Sequence, residues 1–389
     1  FLPLESGLPS TGAGEKTGLA RFFPFGGGSG EDERTPVTED NAPGDGISRT
    51  DDGKLLPTLR RISERSTAGG IAFGPADNEA STTIRFVDGA TGHIFEANTL
   101  NGEVKRISNT TIPKIEEAIW SPNGARVVLR YLGADNRNIE TFSALIEPAG
   151  EENEGKTTGD YLFKNLLSVA WSPDGKKIAW LSADGNGAQV TTSDPDGGKQ
   201  KEIFQSGFSE WLLGWPLSGE IILNTKPSIG IEGFAYSLNP SSGRISRMLG
   251  NIEGLMTSVS KDGKKILYLN GRSSGPELNV FDRDAGTSEI LAGTLPEKCV
   301  WSAEEKNIAY CGIPLGIGGG EYPDDWHKGI LSTEDAVWTI DTENNFAELL
   351  NALEQNGGID VWKPFMNPAE SHLFFINKKD QSFWSLKLK

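Results

Sequence analysis

Ser168-Val169-Ala170-Trp171-Ser172-Pro173-Asp174-Gly175-Lys176-Lys177-Ile178-Ala179-Trp180-Leu181 reads as a short strand, a tight turn and a second strand. Pro173 sets φ at the first corner of the turn. Asp174 has an oxygen for the backbone that follows it, and Gly175 takes the positive φ that closes the hairpin. The run Ile178 to Leu181 has no polar face, so that strand needs cover on both sides. In an all-β chain, sheets stacked face to face supply it.

The unit recurs. Aligned on Trp171, equivalent anchors stand at Phe73, Trp120, Trp215, Val259, Trp301 and Trp362, at intervals of 42 to 61 residues. A turn follows each anchor, as in Ser121-Pro122-Asn123-Gly124 and Ser260-Lys261-Asp262-Gly263. An apolar strand follows each turn, from Ile84-Arg85-Phe86-Val87 in the first copy to Leu373-Phe374-Phe375-Ile376 in the last. Third and fourth strands complete most copies, around turns such as Asp194-Pro195-Asp196-Gly197. Four antiparallel strands repeated at this spacing are the mark of a propeller blade. Seven copies predict a seven-bladed β-propeller over residues 55–389. The last copy ends after its third strand. Pro57-Thr58-Leu59-Arg60-Arg61-Ile62-Ser63 resembles the fourth strands of other copies and is expected to fill that edge, so that the ring is closed by an N-terminal strand.

Residues 1–54 show no sustained period. They hold Gly26-Gly27-Gly28-Ser29-Gly30 and the acidic Glu31-Asp32-Glu33, and read as a flexible tail or linker. Two apolar islands, Phe1 to Leu4 and Leu19 to Phe25, suggest that this tail docks on something. The chain begins at Phe1, and a removed signal peptide or anchor is expected upstream. The net charge of −17 argues against a nucleic-acid groove. No apolar run is long enough to span a membrane. With three histidines and three methionines, no cofactor or metal site is expected. Cys299 and Cys311 flank a predicted hairpin and would lie nearly opposite each other. A disulfide and two buried thiols are both open readings.

The units Ala170-Trp171-Ser172-Pro173-Asp174-Gly175-Lys176-Lys177-Ile178-Ala179 and Ile119-Trp120-Ser121-Pro122-Asn123-Gly124 resemble the WD40-like β-propeller repeat of TolB-type bacterial proteins. The resemblance covers residues 55–389 and implies the propeller fold. It also implies an extracytoplasmic place, periplasmic or at the cell surface, and a role through protein contacts. The chain departs from TolB in having a tail where TolB has a folded N-terminal domain, and seven blades where TolB has six. The TolB partner site is therefore not carried over. Propellers also gate prolyl oligopeptidase-like peptidases, but no hydrolase domain with a Gly-x-Ser-x-Gly elbow is present.

Loops between second and third strands share a face with the blade-to-blade connections, and function collects on such loops. The longest, Gly312 to Asp335, holds Tyr322, Asp324, Asp325, Trp326 and His327. Trp326 and Tyr322 suit interface anchors. Glu321, Asp324, Asp325 and His327 have the oxygen and nitrogen donors for a divalent cation. The structural alternative is that Trp326 plugs the loop onto the ring while the acids are solvated or cap a turn. Asp135-Asn136-Arg137-Asn138 and Asp184-Gly185-Asn186-Gly187 lack calcium-loop spacing and read as turns. Asp174, Asp196, Asp262 and Asp284 fall in hairpin turns, where Asp serves the backbone rather than a glycosidase pair. The sialidase box Ser-x-Asp-x-Gly-x-Thr-Trp is absent. His93, His327 and His372 lie too far apart in the repeat to suggest a cluster. Glu147 to Gly159 reads as a solvated excursion on the opposite face.

Three functions remain in view. The first is a non-enzymatic scaffold whose loop face binds a protein or envelope component. The second is a hydrolase or lyase acting on glycan or peptide in the central funnel. The third is a structural subunit of a surface assembly held by the tail. Three or more acids or histidines converging in the funnel would favour the second.

Overall fold

In the computed structural model the turn at Pro173 closes through its flanking serine. Ser172 Oγ accepts from Lys177 N at 2.9 Å and donates to Asp174 Oδ1 at 2.7 Å, while Gly175 N reaches Ser172 O at 2.8 Å with φ of 68°. Ser121 and Ser260 play the same part in their copies. The buried serine thus satisfies polar groups at the point where the hairpin leaves the core.

The structure describes residues 58–388 other than 100, 148–154, 156, 184, 273, 274, 287 and 354–356. The tail predicted for residues 1–54 lies outside them. Every sheet has four strands. β1 (Leu59–Ser63) precedes the first blade. Blade 1 is β2 (Thr67–Phe73), β3 (Thr83–Asp88), β4 (Ile94–Asn98) and β5 (Val104–Arg106). Blade 2 is β6 (Ile115–Trp120), β7 (Arg126–Leu132), β8 (Ile139–Ile146) and β9 (Thr157–Tyr161). Blade 3 is β10 (Ser168–Trp171), β11 (Ile178–Ala183), β12 (Ala188–Ser193) and β13 (Lys201–Ser206). Blade 4 is β14 (Trp211–Leu217), β15 (Glu220–Thr225), β16 (Glu232–Leu238) and β17 (Ile245–Glu253). Blade 5 is β18 (Thr257–Val259), β19 (Lys265–Arg272), β20 (Gly275–Asp282) and β21 (Ser288–Ala292). Blade 6 is β22 (Cys299–Trp301), β23 (Ile308–Pro314), β24 (Asp335–Asp341) and β25 (Phe346–Asn351). Blade 7 is β26 (Val361–Met366), β27 (His372–Asn377), β28 (Phe383–Lys387) and, as its outer strand, β1.

The chain is therefore a seven-bladed β-propeller closed by its own N-terminal strand. β1 runs antiparallel to β28, with Leu59 opposite Leu386 and Arg61 opposite Trp384. A separate apolar core fills each space between neighbouring blades. Between blades 1 and 2 it contains Val87, Ile94, Val127 and Leu129; between blades 7 and 1 it contains Ile84, Phe86, Phe374 and Phe383. Each such side chain buried contributes roughly 1.5–3 kcal/mol. The anchor tryptophans join blades by a second means. Nε1 of Trp120, Trp171 and Trp301 each donates to a carbonyl of the preceding blade's first strand, Gly69 O, Ile119 O and Ser258 O respectively. Gly69 permits this approach, since a Cβ there would sit 2.2 Å from Ala118 O.

Two expectations need correction. Glu147 to Gly159 is not all excursion, because residues 157–159 begin β9, paired with β8. Asp284 does not serve its turn. Asp282 does, accepting from Asp284 N and Ala285 N, and Asp284 instead faces Lys264 at 3.5 Å in solvent. Asp174, Asp196 and Asp262 do accept from the backbone of their turns. Cys299 and Cys311 stand opposite each other on β22 and β23 and are joined by a disulfide, with Cα atoms 4.1 Å apart. Among the described residues no helix is long and apolar enough to cross a membrane.

Removing residues up to Ser63 would leave β28 as an open edge, take away Ile62 and uncover the side chains it packs against in the core between blades 7 and 1. The expected result is a fall in Tm of roughly 10 °C or more by calorimetry; an unchanged melt would mean that the strand contributes nothing to closure.

Candidate functional site

The hairpin turns within blades occupy one face. The connections from second to third strands and from blade to blade occupy the other, here called the loop face. Its largest element is the connection from β23 to β24. Its neck is closed by Leu315 N donating to Glu334 O at 2.7 Å, and it carries one short helix, α1 (Asp324–His327).

A buried polar network fastens this connection to the ring. Lys298, which is 1% exposed, enters from the start of blade 6. Its Nζ donates to Thr333 Oγ1 and Asp335 Oδ2 at 2.6 Å and to Asp360 Oδ1 at 2.5 Å. Asp360, just before β26, also accepts from Trp326 Nε1 at 3.1 Å and from Thr333 N at 3.1 Å. Asp335 Oδ2 accepts from Val361 N at 2.8 Å. Burial pushes the Asp335 carboxyl above its usual range, against the pull of Lys298. The ammonium groups of Lys298 and Lys378 lie 5.2 and 4.7 Å from the centre of the Trp326 ring.

This network corrects the sequence-based picture of Tyr322 and Trp326 as interface anchors. They are 2% and 0% exposed and pack with Met256, Leu269 and Leu295 beneath the loop. A Gly-rich connection this long holds its place only if something large fills its underside, and these two rings fill it. Asp324 and Asp325 are likewise occupied. Asp324 accepts from Ser228 Oγ at 2.9 Å and Ile229 N at 2.7 Å, clamping a loop of blade 4. Asp325 accepts from Glu321 N at 2.9 Å within its own turn. Of the five predicted binding residues, His327 lines a cavity of the funnel. Among the described residues no group of three or more His, Cys, Asp or Glu side chains is placed to hold a metal ion.

Two cavities lie in the central funnel, where the first strands of the blades meet; another, of about 470 Å³, lies among the turns of the opposite face between blades 5 and 6, beside Asp262, Lys265 and Asp282. Bulges interrupt β6 beside Glu117, β14 across Trp215 and β26 across Lys363. A bulge re-aims a side chain, and all three of these residues line the funnel. Lys363 has φ of 49°, a left-handed conformation uncommon for a residue other than glycine. One chamber, of about 600 Å³, is lined by Glu117, Glu297, His327, Trp362, Lys363, Lys378 and Gln381. The other, of about 410 Å³, has mostly apolar walls from Leu212, Leu213, Trp215, Ile222, Met256 and Val259. Glu297 borders both.

The charges of the first chamber are unevenly satisfied. Glu117 pairs with Arg130 at 2.7 Å and Lys363 at 3.5 Å. Burial opposes its ionisation, but these two cations prevail and hold its carboxyl below the usual range. Glu297 meets the His327 imidazole at 3.3 Å and has no lysine or arginine within ion-pair distance among the described residues. Lys378 donates to Trp326 O at 2.6 Å and has no ion-pair partner among the described residues. Burial pulls its ammonium below the usual lysine range, and Asp360 only partly offsets that.

Around the funnel mouth the loop face is studded with apolar side chains. Phe163, Phe208, Ile231, Leu315, Ile317 and Ile330 are all exposed, Leu315 at 66% and Ile330 at 73%. On the opposite side Val104, Ile245 and Phe346 are exposed where outer strands leave their turns, one to a blade rather than gathered on one loop. Apart from His327, the sequence reading missed the funnel residues. Trp215 and Trp362 were visible only as repeat anchors. Glu117 and Lys363 owe their direction to bulges, which a period-two pattern does not reveal. The one available signal was the loose turn after Trp362, where the repeat loses its usual form.

No protein-family model matches the chain, and no curated protein matches it in sequence. Among solved structures, TolB from Acinetobacter baumannii is 17% identical over 69% of this chain and 63% of that one, with a TM-score of 0.46. The chain thus spans less than two thirds of that TolB. Two structures of oligogalacturonate lyase, one in complex with manganese and one from Vibrio parahaemolyticus, are each 9% identical. They match 88% of this chain and 96% of their own, with TM-scores of 0.54. At such identities the likeness is one of fold.

Lys298→Ala would strand two buried carboxylates under the loop. A loss of about 3–5 kcal/mol in denaturant-measured stability is expected; a loss below about 1 kcal/mol would show that the network does not fasten the loop.

Proposed function

We propose that the chain is a non-enzymatic, extracytoplasmic scaffold that captures a protein or envelope component on its loop face. One observation carries this reading: among the described residues the large apolar side chains exposed in connections lie on that face, and Leu315, Ile317 and Ile330 stand on a loop pinned from below. Exposed apolar clusters on a rigid surface mark interaction sites. Pinning lowers the ordering cost of binding, because the loop is already held in place. The partner therefore meets Leu315, Ile317 and Ile330, while Tyr322 and Trp326 support them from inside. The disulfide at Cys299 and Cys311 agrees with an oxidising compartment such as the periplasm or cell surface.

A second reading, chemistry on a glycan or peptide in the funnel, is favoured by Glu117, Glu297 and His327 lining one chamber. The fold likeness to oligogalacturonate lyase makes that oligosaccharide the first substrate to offer.

The doubly substituted Leu315→Asp/Ile330→Asp chain should keep the parent Tm and lose at least ten-fold in capture of an envelope partner by pull-down. Undiminished capture would remove the loop face from the account. Turnover of oligogalacturonate by the parent chain, lost on Glu297→Gln, would replace it with the second reading.

A further inference from the structure

We propose that the funnel binds a short free peptide by both its charged ends, with an apolar first residue. This goes beyond capture on the loop face and rests on the two chambers alone. Each has the volume of a small-ligand site.

Two charges of the chamber that form no ion pair with a lysine, arginine or carboxylate among the described residues have opposite sign. Glu297 meets an imidazole at 3.3 Å and Lys378 a backbone carbonyl at 2.6 Å, and the two attract each other only across the chamber. Glu117, by contrast, already has Arg130 and Lys363. A ligand that completes both needs a cation and an anion. The order of the walls fixes which goes where. Glu297 stands at the junction of the chambers, so an ammonium held there puts one substituent of its carbon into the apolar chamber. That chamber offers Leu212, Ile222 and Met256 to a hydrocarbon side chain. The rest of the ligand then runs into the charged chamber and ends as a carboxylate on Lys378. A free α-amino group, an apolar first side chain and a terminal carboxylate describe a peptide of a few residues.

Charge-assisted bonds at each end would make affinity depend on both termini being free.

Titration calorimetry on the full chain tests this with Phe-Gly-Gly, its N-acetyl form and its C-terminal amide. The free peptide should bind, and either cap should weaken it at least ten-fold. With Glu297→Gln the acetyl cap should lose its effect, and with Lys378→Met the amide cap should lose its effect. Equal binding of all three peptides, or binding of none to the parent chain, overturns the proposal without reference to any variant's folding. Binding abolished by Leu315→Asp/Ile330→Asp would also overturn it, by moving the peptide out of the funnel. Loss of partner capture with the cap dependence intact would leave it standing.

Discussion

The hydrogen-bonded pairing of β1 with β28 is the constraint on which the rest depends. Blades in a ring are held by their neighbours, so a ring has no weak end only if it is sewn shut. Here the outer strand of the last blade is borrowed from the beginning of the chain. That strand covers the backbone edge of β28 and brings Leu59 and Ile62 to the cores on either side of blade 7. Those two cores hold β26 in place, and β26 carries Trp362 and Lys363 into the funnel. The geometry of the funnel is thus a distant consequence of the closure.

A second constraint acts locally. Lys298, Asp335 and Asp360 form a buried charged group at the joint of blades 6 and 7. Such groups add little net stability compared with a well-packed apolar substitute, but they tolerate few alternative arrangements. With Trp326 bonded to Asp360 and Asp324 clamping the blade 4 loop, the long connection has one position. That position turns its aromatic rings inward, with Leu331 beside them, and Leu315, Ile317 and Ile330 outward. The division between the supporting underside and the exposed top comes from this network, and so does the apolar character of the loop face.

The blades were legible because each carries a local, self-sufficient signal. A serine, a turn and an apolar strand are read within a dozen residues, as at Ser172 to Leu181. Closure was legible too, because Leu59 to Ser63 resembles the outer strands it completes. The site was not. Composition gives the type of a residue in a loop, not its direction, so Trp326 and Tyr322 looked like contacts when they are fillers. Their direction is set by Asp360, which lies 34 residues beyond Trp326 in the chain. Glu117, Trp215 and Lys363 were hidden for a different reason: bulges break the alternation from which inward and outward positions are deduced.

Amide hydrogen exchange followed by mass spectrometry reports most directly on the closed ring. If β1 is the true outer strand of blade 7, the amides of residues 59–63 exchange as slowly as those of β25, the outer strand of blade 6. If they exchange at the rate of the exposed connection over residues 315–320, the ring is not closed by its N-terminal strand, and the account of the funnel built on that closure is wrong.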